Sequence, residues 1–227
     1  MSTALRLGLS ILVAIVCAVV DVAAQSLAIT NARIIVGNGQ VIEQGAVVVR
    51  NGRIASVTAG AAGTQSGPAI DARGMTVMAG FIDAHRHIIN GDPDRWMRDE
   101  AAARMQEFLE SGYTTLMSGG GPVPGIVQLK EKIDRGEIKG PRIITSGRAD
   151  PANFPTPEKA RAQVQLLAKA GVEIVKAAIS PAAVPDETAI LAVVAEESRR
   201  QKLDLMVHAV SPKAMLAAVK AGATKLV

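Results

Sequence analysis

Val77-Met78-Ala79-Gly80-Phe81-Ile82-Asp83-Ala84-His85-Arg86-His87 is an apolar segment that closes on two histidines two residues apart. A strand repeats every two residues, so the imidazoles of His85 and His87 project from one face and can grip one cation. Downstream, Val172-Glu173-Ile174-Val175-Lys176 ends in a lysine, and Leu203-Asp204-Leu205-Met206-Val207-His208 ends in the third and last histidine of the chain. Each group alone has an ordinary explanation. A His-x-His pair is commonly solvated or hydrogen-bonded, a strand-end lysine snorkels to water, and a histidine at the edge of a core is satisfied by a neighbour. Placement at the ends of three separate apolar strands, with no histidine left over, favours a metal site.

The surrounding pattern alternates strand and helix. Apolar runs over 78–84, 113–118, 141–146, 172–178, 203–209 and 224–227 predict strands, and the segments near 94–110, 123–135, 156–170, 186–201 and 212–221 predict helices. Thr156-Pro157-Glu158 and Pro185-Asp186-Glu187 are helix openings, while Gly112, Gly136, Gly171 and Gly222 are helix stops. Gly119-Gly120-Gly121 lacks the Gly-Lys-Ser/Thr that would make it a phosphate loop and is expected to be a flexible βα loop. Strand–helix units at this spacing imply an α/β fold, a parallel sheet with helices outside. The histidines and Lys176 then fall at the C-terminal ends of strands one, four and five, the rim on which eight-unit barrels build active sites.

Upstream the pattern changes. Leu27 to Val36 is rich in β-branched residues, and Ala46-Val47-Val48-Val49-Arg50 and Arg53-Ile54-Ala55-Ser56-Val57 flank Asn51-Gly52, the preferred pair for a two-residue hairpin turn. Residues 26–77 are therefore expected to form a small β-sandwich module, with a small-residue loop from Gly60 to Gly67. Residues 1–25 have the form of an export signal: Arg6, a mostly apolar run from Leu7 to Val20, then the small residues Val22-Ala23-Ala24. That run is short of the about 20 residues a membrane span needs. Cleavage and export, most simply to a bacterial periplasm, are expected, with no stable membrane insertion afterwards.

Composition sets outer limits. With 227 residues and 48% hydrophobic content, the chain can bury a large core. A formal charge of +4, scattered basic residues and 2% aromatics provide no phosphate-tracking stripe or stacking platform, which argues against nucleic-acid binding. The only cysteine, Cys17, lies in the signal-like stretch, so any metal in the body must use nitrogen and oxygen ligands.

The stretch Gly80-Phe81-Ile82-Asp83-Ala84-His85-Arg86-His87, preceded by the β module and followed by Lys176 and His208, resembles the start of the amidohydrolase superfamily, closest to imidazolonepropionase-like and Xaa-Pro dipeptidase-like members. Ala79 stands where that family commonly has proline. The resemblance implies a (β/α)8 TIM barrel, of which residues 78–227 supply about five and a half units. It also implies a two-metal site, with zinc as the default and manganese, cobalt or iron as alternatives. His85 and His87 would bind one ion with a strand-eight aspartate, and His208 would bind the other with a strand-six histidine. Lys176, carboxylated, would bridge them. A metal-activated hydroxide would then cleave a C–N bond of a small amide, lactam or dipeptide-like substrate. A bridging lysine favours such a two-metal hydrolase over the family's one-metal deaminases.

Several assignments stay open at this level. Asp83, on the face of the two histidines, either orients a ligand imidazole or has an ordinary capping role. Arg148 either anchors a substrate carboxylate or forms a surface salt bridge. Trp96 and Asn90 follow the first strand and could line the same mouth. The strand-six histidine and the strand-eight aspartate of the resemblance would lie beyond Val227. The chain is therefore expected to be a truncated and poorly active fragment of a longer enzyme, with homo-oligomerisation undetermined. A non-catalytic exported protein that binds a metal or ligand is the alternative.

Overall fold

Where the hairpin signal stands in the sequence, the backbone adopts it. In the computed structural model, which describes residues 26–61 and 67–227, Asn51 and Gly52 have φ of 52° and 71°, the left-handed pair of a type I′ turn. They join strand β2 (Val41–Arg50) to β3 (Arg53–Ala59). The signal-like residues 1–25 and five residues of the small-residue loop lie outside the described residues.

The chain divides into two compact units, one up to Ala79 and the other from Gly80 to Val227. The first contains β1 (Leu27–Ile35), β2, β3, β4 (Ala69–Asp71) and β5 (Thr76–Met78). Its strands run β3-β2-β1-β4, with β5 also on β1; β2 is antiparallel to both β1 and β3, and β4 and β5 are parallel to β1. Ala32, Ile34, Val47 and Ala72 form its small core. Of the incomplete β-sandwich expected over 26–77, the described residues form a single mixed sheet. Met78 pairs with Ile35 of this sheet, so the apolar run quoted above is shared between two units, and the first strand of the second begins at Phe81 rather than at residue 78.

The second unit carries the alternation. Its strands are β6 (Phe81–Arg86), β7 (Tyr113–Ser118), β8 (Arg142–Ile144), β9 (Ser146–Arg148), β10 (Ile174–Ala178), β11 (Asp204–His208) and β12 (Lys225–Leu226). All pairings are parallel and each strand pairs with the next in sequence: β6-β7-β8, then β9-β10-β11-β12. The intervening helices are α1 (Pro93–Asp99), α2 (Ala101–Glu110), α3 (Gly125–Asp134), α4 (Pro157–Lys169), α5 (Pro185–Arg200) and α6 (Pro212–Ala221). The single helix expected at 94–110 is broken at Glu100, which leaves helical geometry at φ −122°. Thr156 and Ser211 cap α4 and α6 with their side chains, and Gly222 ends α6 at φ 102°.

Strands β8 and β9 are one strand interrupted at Thr145, which is fully buried. There the ladder passes from one neighbour to the other, and a side chain covers the gap. Glu173 accepts from the Thr145 N–H at 2.8 Å and from its Oγ1 at 3.1 Å, while the Glu173 N–H donates to Thr145 Oγ1 at 3.1 Å. Removing that acceptor leaves a buried donor unpaired. Glu173→Ala is expected to cost about 1–2 kcal/mol, read as a lower urea midpoint at unchanged m-value, and Glu173→Gln clearly less. Equal stability of Glu173→Ala and the parent would refute the role.

Two apolar clusters fill the second unit. One, with Val164, Leu167, Leu191, Val194 and Val207, lies between β9–β11 and helices α4–α6. The other, with Trp96, Met105, Leu116, Ile126 and Leu129, lies between β6–β8 and α1–α3. Helices therefore cover the strands' outer face. β6 and β12 do not pair with each other, so the strands form an arc rather than a closed barrel.

Candidate functional site

His85 is the next-to-last residue of β6, Lys176 is in the middle of β10, and His208 ends β11. In a flat sheet, β6 and β10 would be three strand spacings apart, about 14 Å. Instead Lys176 Nζ lies 3.0 Å from His85 Nε2. The arc is curled, and its first and fourth strands face each other across the concave side. The ring of His85 is also 5.3 Å from that of His87 and 6.3 Å from that of His208, centroid to centroid. All four groups singled out in the sequence meet at one end of the arc.

Burial lowers the basicity of two of these groups, Lys176 and His85. Lys176 is 1% exposed. Burial, with the Arg148 charge adding to it and Asp150 opposing, pushes its amine down to about 8. His85 is likewise held below the ordinary imidazole range, first by burial and then by the positive charges of Lys176, His87 and His208, against the pull of Asp83. An imidazole with its proton on Nδ1 accepts from the lysine at Nε2. Neutral imidazole is the form that ligates a metal.

Among the described residues, no group of three or more His, Cys, Asp or Glu side chains is drawn close enough to hold a metal ion. The donor types nonetheless fit a divalent cation: His85, held below the ordinary imidazole range, is flanked by the rings of His87 and His208 and contacts a buried amine that, among the described residues, has no carboxylate in hydrogen-bond contact. These groups would supply part of a ligand set, and the lysine would have to surrender its charge for a cation to enter.

The remaining sequence candidates fall as follows. Asp83 Oδ1 accepts from the His85 backbone N–H at 3.1 Å, so it fixes the strand end that carries the histidine rather than the ring itself. Arg148 is paired with Asp150, at 2.8 Å from Nε and 2.7 Å from Nη2, and bears on the site through its charge beside Lys176. Trp96 is a core residue at 3% exposure; with Asn90 and His87 it borders a cleft of about 550 Å³.

Two features were missed in the sequence. Asp150 ties Arg148 to the end of β10, its Oδ1 accepting from the Ala178 N–H at 2.8 Å; the Arg-x-Asp spacing at a strand end was the available signal. The second is Gly119-Gly120-Gly121, expected to be flexible. Each of the three N–H groups is hydrogen-bonded, to Arg86 O, Ser146 Oγ, and Ser118 Oγ with Ser146 O. The loop is tied down at every N–H, and Gly119 and Gly120 lie against the site.

Known proteins share this fold. A model of the Amidohydrolase family matches residues 76–226. The chain is 26% identical over 132 residues to an L-hydantoinase of Paenarthrobacter aurescens, covering 56% of this chain and 28% of that one. The crystal structure of a proposed prolidase from Bifidobacterium longum superposes with a TM-score of 0.73 at 27% identity, over 89% of this chain and 54% of the other. A Xaa-Pro dipeptidase with bound methionine in its active site shares the fold at the same TM-score, with 22% identity, 89% of this chain and 61% of the other. The chain spans about half the length of these structures and less of the hydantoinase. With its family match covering 151 of 227 residues, its parallel β/α arc and its histidines at the strand ends, this chain belongs to the amidohydrolase family.

Proposed function

We propose that this protein is a metal-dependent hydrolase of a C–N bond in a small amide, lactam or dipeptide-like substrate. The observation that carries the reading is the convergence of His85, His87 and His208 on a buried Lys176 at one rim of the arc. The names of the relatives, L-hydantoinase and Xaa-Pro dipeptidase among them, point to the same reaction class.

His85 and His87 would hold one divalent ion and His208 a second, zinc by default, with manganese, cobalt or iron also compatible with nitrogen and oxygen donors. The chemistry such ions supply when bound is acidification of water and polarisation of a carbonyl. The chain's own contribution is to keep the donors neutral and in place. Asp83 pins the end of β6 through the His85 N–H. Lys176, with its basicity lowered, would react as the free amine: its lone pair would add to carbon dioxide and an N–H proton would pass to solvent water or buffer, leaving a carbamate anion whose oxygens could ligate divalent cations. Arg148, held by Asp150, adds a positive charge beside that anion. The export signal read in residues 1–25 would place this chemistry outside the cytoplasm.

A second reading, metal or ligand binding without turnover, is favoured by the partial ligand set. One experiment separates them. The 227-residue chain, loaded with zinc or manganese in bicarbonate buffer, is assayed for metal content and for hydrolysis of hydantoins, N-acyl amino acids and Xaa-Pro dipeptides. Metal retained after gel filtration, with slow turnover that a chelator abolishes, is the expected result. Metal without turnover on any substrate supports binding alone, and a chain that retains no metal refutes both the hydrolase reading and metal binding.

A further inference from the structure

Building on the metal-site reading above, we propose that the Gly119-Gly120 turn is the positioning wall of the site, fixing His85 and Lys176 by occupying the space into which they would otherwise move. A Cβ at Gly119 would stand 2.5 Å from His85 Cδ2 and 2.8 Å from His85 Nε2. Atoms of these types normally approach to about 3.5 Å. A Cβ at Gly120 would stand 2.9 Å from Arg148 Cγ and 3.1 Å from Lys176 Cγ, and Gly120 also has φ of +107°, which side chains rarely adopt. Backbone therefore reaches both His85 and Lys176 where any side chain would displace them.

A wall positions only if it cannot retreat. Here Gly119 N–H donates to Arg86 O at 2.8 Å, on the strand that carries His85. Gly120 N–H donates to Ser146 Oγ at 2.8 Å, and that hydroxyl donates onward to Ser118 O at 2.6 Å. Gly121 N–H donates to Ser118 Oγ at 3.1 Å. Ser118 and Ser146 are fully buried, so water does not compete for these bonds. The turn is thereby tied to β6, β7 and β9 at once. Lys176 contacts His85 Nε2 at 3.0 Å, and a Cβ at Gly119 would close on the same atom. Gly121 differs: its Cβ would meet Ile126 and Ser118 Oγ, atoms of the core and the turn rather than of the site.

The contrast between neighbouring glycines makes the test. Ring NMR signals of His85 are recorded in the metal-free chain; with three histidines in the sequence, a His85→Gln spectrum identifies them. Gly119→Ala is expected to move the His85 signals, and Ser146→Ala, which adds no atom and should fold, to move them in the absence of any clash. Gly121→Ala is expected to lower the unfolding midpoint while leaving them in place. His85 signals unmoved in both Gly119→Ala and Ser146→Ala, or moved as far in Gly121→Ala, overturn the proposal. Cobalt(II) titration followed by its visible spectrum gives the second readout, with affinity at least about tenfold weaker in Gly119→Ala or Ser146→Ala than in the parent. Equal affinity and identical spectra count against positioning. A parent chain that takes up no cobalt sinks the metal-site reading alone, and the histidine signals then decide the role of the turn.

Discussion

Replacing His85 by alanine is expected to weaken zinc or manganese binding by on the order of 100-fold or more, beyond the 10- to 100-fold typical of losing a group that only orients a ligand. His85 sits at the centre of the cluster, in contact with Lys176 and flanked by the rings of both other histidines. Its loss removes a donor and also the partner of the buried amine. Its lowered basicity has a further consequence. Protons compete with metal for the imidazole only once pH falls below its pKa, so binding by the parent should persist into solutions more acidic than the ordinary imidazole value of 6.5 and then fall. Competition against a coloured chelator across pH reads both effects. A His85→Ala chain that binds as tightly as the parent would remove His85 from the ligand set.

Lys176→Met is expected to stabilise the metal-free chain, kept free of carbon dioxide, at neutral pH. Lowering the amine from 10.5 to about 8 corresponds to about 3 kcal/mol of penalty on the charged form, offset by about 1 kcal/mol for the lost hydrogen bond to His85. Below about 8 the lysine is protonated in both folded and unfolded chains and the penalty is complete. Between 8 and 10.5 only the unfolded chain holds the proton, so the parent's stability rises with pH; above 10.5 the penalty is gone. Methionine is of similar length and has no proton to lose. Its advantage should therefore be largest below pH 8 and fade by about pH 10.5. Urea unfolding of both chains at neutral and alkaline pH measures this. A variant less stable than the parent at neutral pH would mean the buried ammonium is not under strain. Such a penalty, carried in the metal-free state, is what a site suited to a neutral amine or its carbamate would show, because converting the lysine relieves it.

Much of the second unit was legible because its signals are local. The strand at Tyr113–Ser118 and the helix at Pro212–Ala221 fall where the apolar period and the stop at Gly222 put them. Errors occurred where a partner outside the segment decided. Thr76–Met78 has the composition of the strand that follows it but pairs with Arg33–Ile35, so the boundary moved. Glu100 and its neighbours are good helix formers, yet the segment breaks there and Trp96 turns into the core. The triple glycine had the composition of a mobile loop, and two buried serines from β7 and β9 made it rigid.

The sequence alone determined the parallel β/α order and singled out His85, His87, Lys176 and His208 in or beside its strands, because periodicity of two and of 3.6 residues is written along the chain; the structure puts Lys176 in the middle of its strand rather than at the end. The sequence could not determine that these groups meet. That depended on the curl of the arc, which brings residues three strand spacings apart to 3.0 Å, and curvature accumulates from the twist of each strand against its neighbours and the helices packed outside. Nor could it determine the lowered basicity of Lys176 or the role of Gly119-Gly120, since burial and close approach are properties of what surrounds a residue.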